Sequence, residues 1–328
     1  MLEYHQLSSK IFNFSPSEFD DIALQIFEYQ YNHNPIYKQF VNYLNKRQDV
    51  KDIYSIPYLP VELFKNHTIL SDEFQAIKYF ESSGTTGSIS IKHYYQDLKI
   101  YEQSYLNGFQ NQYGSPSDWV ILGLLPSYLE RKNASLVNMV DSLMIHSGHS
   151  ENGFYLYNYE KLKETLEFLA NNERKVMLFG VTFALIEFAR DFPSTYPNLT
   201  IIETGGMKGR GKELTRDELH VFLKQQLSPK QIHSEYGMSE MFSQAYSTDK
   251  GIFQSASTLK VLKRNPFDPF DIQDASGRGN INVIDLSNLH SCSFLATMDL
   301  GEFYDDGKFS VLGRSDYSDV RGCNLMYS

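Results

Sequence analysis

From residue 119 onward, short β-like runs alternate with amphipathic ones: WVILGLL with ASLVNMVDSLMIHSG, VMLFG with TFALIEFARDF, and LTIIETGG with ELTRDELHVFLKQQL. The β-like runs are apolar without polar alternation, so both faces of each must be covered, and the intervening segments carry apolar residues at helical spacing that can cover them. This alternation predicts a parallel sheet layered by helices. In one such helix Leu136, Met139, Val140, Leu143 and Met144 form a core-facing stripe, with Asn133 available as cap and Gly148 as terminator. Further on, INVIDLSN, SFLATMDLGEF and GKFSVLGR lose the helices and read as antiparallel strands with Gly and Asp turns. The first 75 residues read mostly helical, with an N-cap candidate at Ser15 or Ser17 before an acidic first turn. No repeat, linker or strong boundary interrupts the chain before its last fifteen residues.

With 328 residues, the chain can bury a large core as one big domain or two unequal ones. Apolar residues make up 41% and aromatics 14%, a globular composition rich in rings suited to an organic pocket. The net charge of -10 argues against nucleic acid or an anionic membrane as partner, since both require clustered cations. Two cysteines, Cys292 and Cys323, imply no disulfide framework and fit a reducing compartment; Cys292 reads as a strand residue without a role. The N-terminus has no basic stretch followed by an apolar one, and the longest apolar run (176–189) contains Glu187 and is shorter than the roughly 20 residues of a bilayer crossing. The expectation is a soluble, cytoplasmic protein.

Four constellations carry chemistry. The first is ESSGTTGSISIKHYYQD, in which Gly84 and Gly87 let the backbone approach an anion while Ser82, Ser83, Thr85 and Thr86 add hydroxyl donors. The Gly-Lys-Ser/Thr ending of a P-loop is missing, and a flexible turn is the plain alternative. The second, IHSEYGMSEMFSQ, runs a strand into Tyr236 and Gly237, with Ser239 and Glu240 where a helix could begin; it offers a ring for a base and a carboxylate for magnesium. Half a nucleophile elbow is present too, but Met241 stands where its second Gly should be. Third, IIETGGMKGRGKE ends a buried strand in Thr204, Gly205 and Gly206, leaving room for a flat ligand, with Lys208, Arg210 and Lys212 adding charge; a solvated basic turn is the alternative. Fourth, Asp299 in TMDLGEF is a short carboxylate of the kind that accepts ribose hydroxyls, and Arg314 after Gly313 can reach the same sugar or a phosphate. An Asp at a strand end is commonly turn chemistry alone. His146, His149 and His233 read as capping or packed residues rather than bases or zinc ligands.

In the order SSGTTG, ETGG, YGMSE, then DLGEF with GRSD and RG, the set resembles the adenylate-forming superfamily of acyl and aryl ligases, from about Tyr79 to the end. Within it, LPSYLERKNASLVNMVDSL, GGMKGRGKEL and VRGCNL look like the acyl-protein synthetase component of the fatty-acid reductase that feeds bacterial luciferase. The resemblance implies an α/β core, with helix-covered, mostly parallel sheets plus a small antiparallel β subdomain. It divides the chain into an adenylation core at 1–312 and, at 313–328, a hinge with a truncated remnant of the C-terminal domain. It implies ATP phosphates on Ser82, Ser83, Gly84, Thr85, Thr86 and Gly87, adenine beside Gly205, Gly206 and the Tyr236–Gly237–Ser239 loop, ribose on Asp299 with Arg314, and magnesium on Glu240. Cys323, in its RGC context, would carry an acyl thioester. The lysine expected after SSGTTG is displaced, since the chain reads SISIK and Lys92 does not match by spacing. Without the lid domain and its lysine, Lys208 is the nearest candidate to compensate charge.

The segment 179–183, FGVTF, would border the pocket for a fatty or aromatic acid in such enzymes. The reading is then formation of acyl-AMP from a carboxylic acid and transfer of the acyl group to a thiol, with an acyl-carrier protein or a reductase or transferase as partner. Two alternatives stay open: an ATP-independent acyltransferase or hydrolase, and a non-catalytic nucleotide- or acyl-binding subunit.

Overall fold

The computed structural model describes residues 2–71, 78–82, 90–126, 133–172, 174–205 and 214–314. Five parallel strands form one half of the main sheet, in the order β5 (Gly153–Phe154), β4 (Trp119–Leu124), β6 (Lys175–Val181), β7 (Leu199–Thr204) and β8 (Gln231–Tyr236). Strands β4 and β7 are buried along their whole length, and so is β6 beyond its first residue. The unbroken apolar runs of the sequence therefore mark strands covered on both faces.

The antiparallel strands continue the same sheet. Beyond β8 come β9 (Ala245–Ser247), β10 (Ile252–Ser255), β15 (Phe309–Arg314), β14 (Phe294–Phe303), β13 (Gly277–Asp285), β11 (Leu259–Arg264) and β12 (Ile272–Gln273). The two-residue β1 (Leu59–Pro60) pairs in parallel with β14. A separate hairpin joins β2 (Lys78–Glu81) to β3 (Lys92–Tyr95), with Glu81 opposite Lys92.

The helix Ser135–Ser147 buries the stripe expected of it and ends at Gly148, whose φ of 69° is left-handed. Its N-cap is Ala134 rather than Asn133. Ser15 precedes a short 3-10 turn, where the Glu18 carboxylate accepts from its backbone N–H. Among the described residues no helix is long and apolar enough to cross a membrane.

The N-terminal helices Leu2–Lys10, Phe19–His33 and Pro35–Tyr43 are tied to the loop 286–293 between β13 and β14. Gln30 donates to the Asn288 carbonyl at 3.0 Å, Asn34 donates to the Ser291 carbonyl at 2.8 Å, and Tyr4 reaches His290 at 2.9 Å. That loop carries many polar side chains in the interior, and a buried polar group has to be paired there. The helices supply the partners, and the loop in turn supports the site.

Candidate active site

Among the described residues, Gly205 and Tyr236 of the expected site stand at the carboxyl ends of parallel strands, where open α/β sheets bind ligands. Tyr236 closes β8, and Thr204 closes β7 with Gly205 just beyond it at φ 66°. The carbonyl of Gly205 accepts from the Thr182 hydroxyl at 2.7 Å. Phe179 and Phe183, expected near an acyl pocket, are packed in the core, and the Leu185 side chain fills the space against Gly180.

Asp299 on β14 lies opposite Arg314 on β15, and their side chains approach to 3.5 Å. The Tyr236 hydroxyl donates to the other Asp299 oxygen at 2.8 Å. Burial pushes the Asp299 carboxyl above its ordinary range, while Tyr236 and Arg314 pull it back. The Tyr236 ring meets Phe253 and Phe309 edge-on, at 6.0 and 5.6 Å between centroids. Strands remote in sequence thus bring Tyr236, Asp299 and Arg314 into one set, joined by a hydrogen bond and an ion pair.

Glu240 follows in a turn rather than at the start of a helix. Its carboxyl is buried, which pushes its pKa up to about 7, with Arg314 lowering it and Asp299 raising it. A hard divalent cation suits such a group, because it supplies the charge that burial withholds and takes oxygen ligands. Glu240 would hold the cation, which when bound would neutralise phosphate charge. Among the described residues there is no cluster of three or more His, Cys, Asp and Glu that could hold a metal ion.

The turn is held from both sides. Asn288 donates to the Glu240 carbonyl at 2.6 Å. Asp285 accepts from the Phe242 and Ser243 amides at 2.7 and 2.9 Å and from the Ser243 hydroxyl at 2.6 Å. His93 on β3 reaches the Ser239 carbonyl through Nδ1 at 2.8 Å and Ser291 Oγ through Nε2 at 2.7 Å. A carbonyl only accepts, so Nδ1 carries the proton and Nε2 accepts from Ser291. Sequence reasoning passed over Asp285, Asn288 and His93. For His93 a signal existed, since the alternation in KHYY puts it on the same face as the buried Tyr95.

The hairpin β2–β3 presents the Ser/Thr/Gly loop. Ser82 stands at its base, exchanging backbone and side-chain hydrogen bonds with Ile91 at 3.0 Å. Lys92 lies over the Tyr79 ring, 4.6 Å from its centroid. Ser83, Gly84, Thr85, Thr86, Gly87, Gly206, Lys208, Arg210, Lys212, Cys323 and the segment 315–328 lie outside the described residues. Cys292 sits in the loop just before β14, buried, with its thiol pushed up to about 12. His146 bonds the Ser142 carbonyl at 2.8 Å and His149 the Ser117 carbonyl at 2.9 Å, away from these groups.

No family model matches the chain. Over 92% of its length, and 85% of the relative's, it is 25% identical to the long-chain-fatty-acid luciferin-component ligase of Vibrio harveyi. Among solved structures, O-succinylbenzoate coenzyme A synthetase from Bacillus subtilis, in complex with ATP and magnesium ion, aligns with a TM-score of 0.53 at 16% identity, covering 73% of this chain and 50% of that one. An open conformation of 2-hydroxyisobutyryl-CoA ligase, in complex with its adenylate and CoA, aligns at 0.64 and 12% identity over 90% of this chain and 69% of that one. The chain thus spans about half the length of the synthetase it matches. At these identities the structural likeness is one of fold, and it bears out the expected α/β core.

Proposed function

We propose that this chain, which has the fold of the adenylate-forming superfamily, activates a carboxylic acid with ATP and passes the acyl group to a thiol. In the first step a carboxylate oxygen of the acid attacks the α-phosphorus. A P–O bond forms, the α–β phosphoanhydride breaks, and pyrophosphate leaves with the electron pair. In the second a thiolate attacks the acyl carbon and AMP leaves. The acid is its own nucleophile, so positioning and charge compensation carry the catalysis.

The observation that carries the reading is the set formed by Tyr236, Asp299 and Arg314 beside the buried Glu240. In this proposal Asp299 accepts the ribose hydroxyls, Arg314 keeps it ionised, and Tyr236 fixes its orientation. Glu240 holds magnesium, and the loop 82–87 holds the phosphates. Lys208 compensates developing charge, and Cys323 carries the acyl group if the chain itself is the acceptor. Residues 1–312 would form the adenylation core, with 313–328 as hinge. The 25% identity to a luciferin-component ligase over nine-tenths of the chain supports a fatty acid as substrate and a protein as acceptor.

The test is carboxylate-dependent exchange between pyrophosphate and ATP over a panel of fatty and aromatic acids. Exchange that requires magnesium and is lost in Glu240→Gln is expected. Saturable ATP binding without exchange for any acid would instead identify a nucleotide-binding subunit. A mass increase on Cys323 after incubation with ATP and acid, absent in Cys323→Ala, tests the carrier role separately.

A further inference from the structure

The face of β8 turned away from Tyr236 carries a second polar cluster. Side chains alternate along a strand, so His233 and Glu235 share that face. Tyr246 on β9 stands opposite Glu235 in the register, and Thr204 at the end of β7 donates its hydroxyl to the Glu235 carboxyl. The helix Lys99–Tyr113 covers the group with Tyr113, whose ring stacks on His233 at 5.7 Å and meets Tyr246 edge-on at 5.4 Å.

The cluster is buried but incompletely paired. Tyr246, Gln244 and His233 are 3%, 5% and 4% exposed. Yet Tyr246 Oη, Gln244 Oε1 and His233 Nε2 have no hydrogen-bond partner among the described residues. Each unpaired buried group carries a desolvation cost that a partner would remove. The cluster also reaches the site. Glu235 Oε1 and Gln244 Cγ lie 2.5 and 3.6 Å from where a Cβ on Gly237 would be, and Gly237 is exposed directly after Tyr236. Any side chain at 237 would displace the Glu235 carboxyl, so this glycine leaves the carboxyl in place beside an exposed position of the chain.

We infer that Glu235, Gln244, Tyr246 and His233 form a specificity surface that selects a carboxylic acid bearing a hydroxyl group over its unsubstituted alkyl counterpart. The inference rests on the proposed acid activation for the ligand being a carboxylic acid. A hydroxyl both donates and accepts, so it can pair with Gln244 Oε1 as donor and with the Tyr246 hydroxyl as acceptor. Burial pushes Glu235 up to about 7, with the Thr204 hydroxyl pulling against it and Glu203 adding to it, so this carboxyl too can serve in either role near neutrality. A site built to bond a hydroxyl rejects the analogue lacking it strongly, because its own polar atoms are then left unpaired.

The test measures binding by calorimetry to the full chain, using hexanoate and octanoate and their 2-, 3- and ω-hydroxy derivatives, with nucleotide present. At least one hydroxy acid is expected to bind about tenfold or more tightly than its parent, with the preference reduced severalfold in Tyr246→Phe and in Glu235→Gln. Without acid, Tyr246→Phe should melt no lower than the parent protein, since it removes an unpaired buried hydroxyl; this separates recognition from a structural role. Parents binding as tightly as every hydroxy derivative, or a preference untouched by both substitutions, overturns the inference. A hydroxyl preference in binding without any pyrophosphate exchange would uphold this surface and remove the proposed reaction.

Discussion

His93 holds Ser239: its Nδ1 proton is shared with the Ser239 carbonyl at 2.8 Å, from a strand 146 residues away in sequence. The strand that leaves the Ser/Thr/Gly loop is thereby bonded to the turn that presents Glu240. Replacing His93 by Ala removes both ring hydrogen bonds and leaves a void beside Phe242, whose ring lies 4.8 Å away. A loss of about 2–4 kcal/mol in urea unfolding is expected. Exchange activity should fall with it even at temperatures where the variant stays folded.

Burial lowers His93, His233 and His290 to about 4 each, against an ordinary value of 6.5. These rings are neutral in the folded protein, so the unfolded chain takes up more protons. Their contribution is fully present above pH 6.5 and is lost as pH falls from there toward 4. Glu235 and Glu240, raised to about 7, act oppositely: their contribution is present below their unfolded values and is lost as pH rises through 7. Denaturant midpoints measured from pH 8 to pH 4 should therefore decline on the acid side. The decline should be shallower in His233→Gln, and a profile of unchanged slope would contradict the assignment.

Much of this was legible in the chain beforehand, for reasons that differ by element. The parallel half was readable because strands buried on both faces have unmistakable apolar runs, and the helix Ser135–Ser147 because its stripe has one period. Tyr236, Glu240, Asp299 and Arg314 stand out in the chain through motif order. Their hydrogen bonds do not, because Tyr236 and Asp299 are 63 residues apart and meet only through the strand order. Asp285 escaped notice for a related reason: a carboxylate after an apolar run looks like a turn until the Phe242 and Ser243 amides are seen to converge on it. The Glu240 turn was read as a helix start, since Ser and Glu favour helix N-termini; in the fold its backbone is bonded by Asn288 and by His93 instead.

Tyr236→Phe removes one hydrogen bond from Asp299 and leaves the Arg314 contact in place. The KM for ATP should rise by roughly three- to tenfold, in line with about 1 kcal/mol for such a bond, with little change in kcat. Asp299→Ala should cost more, because it also removes the proposed acceptor for the sugar. Steady-state exchange at varied ATP separates the two effects.

Glu240→Gln keeps the shape of the turn but removes the charge that would face magnesium. Exchange should drop by about a hundredfold or more, and raising magnesium should restore little of it. Circular dichroism should be unaltered.

Asp285→Ala would strand the Phe242 and Ser243 amides in the interior. A destabilisation of about 3 kcal/mol or more is expected from unfolding curves, a larger effect than Tyr236→Phe or Glu240→Gln produces.

Strand β15 lies between β14 and β10, so the last described strand of the chain connects β14, β13, β11 and β12 to the strands that run on through β10 and β9 to β8, and delivers Arg314 at the same time. During synthesis every other described strand leaves the ribosome before this one can dock. A nascent chain halted before residue 309 would own Tyr236 and Asp299 without one of the strands that separate β8 from β14, so the Tyr236–Asp299–Arg314 set is completed late in the life of each molecule.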